Sequence, residues 1–91
     1  MRKLYAKPST TLPRTQPLVV TGCTTSGCVR GSVVDGFAYN FRVLVPHDAV
    51  YDRSATSHAV NLFDMASKYA DVGSTAEVLE TLRPLKKAVA A

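Results

Sequence analysis

Tryptophan is absent, and the aromatic complement is three Phe and four Tyr, so a core must draw its bulk from few rings and many aliphatic side chains. Long hydrophobic runs are missing as well. No stretch approaches the ~18 residues a membrane-spanning helix needs. The leading Met1-Arg2-Lys3-Leu4-Tyr5-Ala6-Lys7-Pro8 has bases but no apolar run behind them, unlike a secretory leader. The expected location is therefore cytoplasmic, or a virion if the chain is viral. Acidic residues are absent from residues 1–17, which hold Arg2, Lys3, Lys7 and Arg14. Two cysteines are too few for a disulfide scaffold, and no Gly-rich phosphate loop or Ser–His–Asp order stands out.

What is present fits one small basic domain. Ninety-one residues with 46% hydrophobic content suit a single unit that buries roughly 60–65% of its unfolded surface. The net charge of +4 lies mainly in the N-terminal arm. From Pro46 onward six acids face five bases. A basic arm favours phosphate backbones or acidic protein surfaces; spaced charges also serve simply to solvate a tail.

Pro8, Pro13 and Pro17 forbid helix and central strand in residues 1–17, which read as an extended arm. Residues 18–91 read as one α+β domain. Leu18-Val19-Val20-Thr21 is strand-like, and Gly22 to Cys28 is turn chemistry. Val29 to Val34 is strand-like again, and Asp35-Gly36 suits a type I′ hairpin. Phe37 to Val45 alternates with period two and stops at Pro46. The predicted architecture is a three-stranded antiparallel meander followed by two helices packed on one face. The first helix starts near Ser54 to Ser57, buries Ala59, Leu62, Phe63, Ala66 and Ala70, and ends with Gly73 at C′. Ser74-Thr75-Ala76-Glu77 reads as a capping box for the second, with Pro84 ending or kinking it.

Candidate chemistry is sparse. Cys23 and Cys28 (C-x4-C) would oppose each other across a hairpin loop, which allows a disulfide. A cytosolic setting favours two plain thiols. With His47 and His58 they do not match common zinc spacings, so neither metal nor cofactor is expected. His47-Asp48, Tyr51-Asp52-Arg53 and His58 are dense enough for a small nuclease with paired imidazoles. They are also ordinary turn and cap residues.

In the meander, Phe37, Tyr39 and Phe41 pack under the helices. The opposite sheet face, with Val29, Val33, Ala38, Arg42 and Leu44, is left partly apolar and wet. The first expectation is thus a non-catalytic assembly protein that self-associates or docks on a larger protein through that face, with Arg2, Lys3, Lys7 and Arg14 reaching over the neighbour. Small size and lack of machinery are traits shared with virion and phage accessory components. The alternative is a single-stranded nucleic-acid binder using the arm with Arg30, Tyr39 and Phe41 as a stacking face.

Overall fold

A strand covered on both faces appears as an unbroken buried run, and Val43-Leu44-Val45-Pro46 is one: all four residues are buried. The computed structural model describes residues 16–89 and the side chains of residues 16–84. In chain order the elements are β1 (Pro17–Val19), β2 (Gly22–Cys23), a wide helical turn (Thr25–Val29) and α1 (Arg30–Ala38). Then come β3 (Arg42–Pro46), a one-turn 3-10 helix (His47–Ala49), β4 (Val50–Tyr51), α2 (Ala55–Lys68), β5 (Ala70–Gly73) and α3 (Thr75–Val89).

β1, β3 and β5 form a parallel sheet in that order, with Leu18 beside Val43 and Val43, Leu44 and Val45 beside Ala70, Asp71 and Val72. β2 and β4 make a second, two-stranded parallel ladder. The pleat sends Val43, Val45, Ala70 and Val72 to one side, where they join Val29, Val33, Leu62, Met65 and Ala66 in one buried cluster. Leu44 and Asp71 point the other way and are buried too, while α3 packs on β3 through a helix that buries Val78. The result is an α/β unit with helices around a parallel sheet, and the antiparallel meander is overturned.

The correction begins at residues 29–38, where β-branched residues suggested a strand. The buried positions are Val29, Val33 and Gly36, spaced four and three apart, so this is a helix with one stripe on the sheet. Asp35-Gly36 is consequently no hairpin turn. A Cβ on Gly36 would stand 2.7 Å from Leu18 Cδ2 and 3.2 Å from Val43 Cγ2, so glycine there allows α1 to lie close on β1 and β3. The helix stops at Asn40 (φ 70°). Asn40 N–H donates to Phe37 O and Phe41 N–H to Gly36 O, the two bonds of a Schellman motif with Asn in the left-handed position.

Further along, only Arg42–Val45 of the expected Phe37–Val45 strand is extended, in a β3 that runs on through Pro46. Gly73 lies in β5 rather than behind a helix, since α2 ends at Lys68. α3 continues past Pro84 to Val89, so the expected end is not there. The capping box is formed: Ser74 N–H donates to Glu77 Oε1 at 2.8 Å and Glu77 N–H to Ser74 Oγ at 3.1 Å. Pro17, assigned to the arm by its proline, is the first residue of β1.

Candidate active site

Parallel strands bring all their carboxyl ends to one rim, and the segments leaving that rim hold Cys23, Cys28, His47, Asp48, Tyr51, Asp52 and Arg53. After β1 come β2, Thr24 and the Thr25–Val29 turn; after β3 come His47–Ala49, β4 and the Asp52-Arg53-Ser54 lead-in to α2. Gly22, with φ of 104°, and a cis Cys23–Thr24 peptide precede the turn. Within it Gly27 N–H and Val29 N–H both donate to Thr24 O, at 2.9 and 3.1 Å. Helical geometry is interrupted at Gly27 (φ −116°, ψ −105°), so the unbroken helix that becomes α1 starts at Cys28. Cys28 is exposed although its neighbour Val29 is buried.

Both cysteines are free thiols. Their settings differ. Cys23 pairs with Tyr51 in the β2–β4 ladder, whereas Cys28 stands exposed at a helix head. The turn is tied to the rest of the rim from two directions. Ser26 N–H donates to Asp52 Oδ2 at 3.0 Å, and the Thr25 hydroxyl lies 2.8 Å from His58 Nδ1. Hydrogen bonds from Ser26, then from the Ser54 amide, hold the Asp52 carboxyl below the usual aspartate range.

Asp48 has a structural duty. Asp48 Oδ1 accepts from the Thr75 hydroxyl at 2.6 Å and the Thr75 amide at 2.9 Å, and the Thr75 hydroxyl is the main cause of its lowered pKa. Asp48 thus caps α3. His47 opens the 3-10 turn and His58 sits one turn into α2, so the two imidazoles belong to different elements. Among the described residues no three His, Cys, Asp or Glu side chains are grouped to hold a metal ion.

The predicted binding faces do not assemble. Val29 and Val33 are core residues under α1, Ala38 closes that helix, Leu44 is fully buried, and Arg42 pairs with Asp71 at 3.4 Å. Arg30, expected beside Tyr39 and Phe41, instead bonds Asn61 at 2.8 Å and Asp64 at 3.0 Å, joining α1 to α2. Tyr39, 79% exposed, and Phe41, 39% exposed, flank the α1–β3 bend rather than sharing a strand, so they do not form the expected aromatic sheet face with Arg30. Arg2, Lys3, Lys7 and Arg14 lie outside the described residues.

A family model for the isochorismatase domain matches residues 12–77. The chain belongs to the isochorismatase family. It is 44% identical over 68 residues to a maleamate amidohydrolase from Pseudomonas putida and 40% identical over 72 residues to an N-carbamoylsarcosine amidase from Arthrobacter sp.. Those matches take in 75% and 79% of this chain but 32% and 27% of the relatives, so the chain spans about a third of their length or less. The crystal structure of an isochorismatase-like hydrolase from Alkaliphilus metalliredigens shares the fold, with a TM-score of 0.68 at 24% identity over 75% of this chain and 37% of that one. Membership of an isochorismatase family whose named relatives are amidohydrolases overturns the readings as a non-catalytic assembly protein or a viral component, and does not favour a nucleic-acid binder. Among the described residues no helix is long and apolar enough to cross a membrane.

What sequence reading missed in this isochorismatase-family rim was the place of Cys28 at a helix head. A strand, a short Gly-containing turn and a thiol directly before Val29 and Val33 at helical spacing would have put it at a helix head.

Proposed function

We propose that this chain carries the nucleophile of an amide hydrolase, and that the nucleophile is the Cys28 thiol. The single observation behind this is the exposure of Cys28 at the head of an unbroken helix, on the rim where the parallel strands end, in a family with amidohydrolase members. Cysteine sulfur is an intrinsically strong nucleophile toward carbonyl carbon. Sulfur attacks the amide carbonyl carbon and the C–N bond breaks as nitrogen takes up a proton and leaves as ammonia or an amine. Water then cleaves the thioester, releasing the acid and restoring the thiol.

The relatives' names support a substrate class. Maleamate and N-carbamoylsarcosine each place a carboxylate near a hydrolysable C–N bond. Arg53 is exposed and follows Asp52, whose carboxylate is bonded to the turn that bears Cys28. A guanidinium there suits the carboxylate of such a substrate.

The test is ammonia release from half-amides of dicarboxylic acids and from N-carbamoyl amino acids. Cys28→Ser should lower kcat by about a thousandfold or more, with Cys23→Ser within a few-fold of the parent. Hydrolysis that survives Cys28→Ser rejects the assignment. Arg53→Ala should raise KM for the anionic amides by about tenfold and leave a neutral amide unaffected.

A further inference from the structure

The turn that presents Cys28 is held from outside its own stretch of chain. Asp52 is buried and uses both carboxylate oxygens. Oδ1 accepts from Ser54 N–H at 3.2 Å, an ordinary local bond at the head of α2. Oδ2 accepts from Ser26 N–H at 3.0 Å, 26 residues back along the chain and two residues before Cys28. That second bond does nothing for α2. One position earlier, Thr25 is fully buried with its hydroxyl 2.8 Å from His58 Nδ1, and His58 N–H donates to Ser54 O inside α2. The lead-in and first turn of α2 therefore grip two consecutive residues of the Cys28 turn, and α2 packs against that turn.

We infer that Asp52 is a positioning residue for Cys28, holding the Ser26 amide so that the helix head presents its thiol at a fixed place on the rim. The inference rests on the reading of Cys28 as the nucleophile. Small displacements of a reacting group are costly, so a buried carboxylate spanning two rim segments has a direct bearing on rate. Asp48 offers the natural comparison: it makes the same kind of cap at α3, through Thr75, with no bond to the Cys28 turn among those described.

The experiment measures alkylation of Cys28 by iodoacetamide at neutral pH in the full chain, read by mass spectrometry on the Cys28 peptide so that Cys23 does not contribute. Asp52→Ala should slow it about threefold or more relative to the parent, with Asp52→Asn, which keeps one accepting oxygen, between the two. Asp48→Ala should match the parent. Amide hydrogen exchange over residues 24–30 should quicken in both Asp52 variants and not in Asp48→Ala. Equal reactivity of the Ala and Asn variants would assign the effect to charge rather than position and overturn the inference. So would an equal change in Asp48→Ala, or no change at all. Should Asp52→Ala not fold, the Asn variant against Asp48→Ala is decided by the exchange measurement. Failure of the nucleophile reading shows separately, as hydrolysis that survives Cys28→Ser whatever the alkylation ranking.

Discussion

Gly36 is the residue whose smallness the sheet depends on most directly. Leu18 and Val43 already occupy the space a side chain would need, so Gly36→Val should destabilise the fold by about 1–3 kcal/mol, measured by urea unfolding. Asn40 makes a different demand, since its φ of 70° is unfavourable to residues with an ordinary Cβ. Asn40→Ala should cost about 1 kcal/mol and Asn40→Gly a few tenths or less in the same assay. Both residues were visible in the sequence and both were misread. Asp35-Gly36 looks like a hairpin turn because glycine tolerates positive φ, yet here glycine is used for its missing Cβ. Cys28 was legible as a thiol but not as a residue at a helix head, because its setting depends on where the helix begins.

At the scale of elements, the legible ones were those with their own punctuation. α2 has Ser54 at its N-cap, accepting from Ser57 N–H at 3.2 Å; of its expected stripe Leu62 and Ala66 are buried, whereas Ala59 and Phe63 are exposed, Met65 is buried in their place, and Ala70 lies in β5. The head of α3 carries the reciprocal Ser74–Glu77 bonds, and Ser74→Ala should lower stability by about 1 kcal/mol, read as a shifted urea midpoint at constant slope. α1 lacked such marks. It has no side-chain N-cap, and its apolar stripe is only Val29, Val33 and Gly36 amid β-branched neighbours. β5 was hidden for another reason: Ala70-Asp71-Val72-Gly73 is short, contains a charge, and is buried throughout only because helices and β3 surround it. Its Asp71 is paired with Arg42, two residues that no local pattern connects. With α1 taken as a strand, the antiparallel topology followed, and the wet sheet face that suggested assembly followed from that.

At the scale of the whole molecule, three of the carboxylates that link distant segments are held below the usual aspartate range and should make stability depend on acid. Asp64 is held low by Arg30 and then Lys68, Asp52 by Ser26, and Asp48 by Thr75. A carboxyl whose folded pKa lies below its unfolded value, near 3.9, binds protons more readily when unfolded. Its contribution is complete above that value and is lost as pH falls through the lower, folded one. Urea midpoints should thus be flat from about pH 7 to 5 and drop below about pH 4. Asp64→Asn should flatten part of that drop; an unchanged profile would mean the α1–α2 tie contributes nothing.

The buried strands and the rim they feed are separable in sequence. Residues 43–46 and 70–73 meet neighbours on every side, whereas residues 20–28 and 47–54 lie where the chain leaves the sheet. Residues in those connectors can be exchanged, with Ser26 and Asp52 kept as the clasp between them, while the scaffold beneath stays as it is.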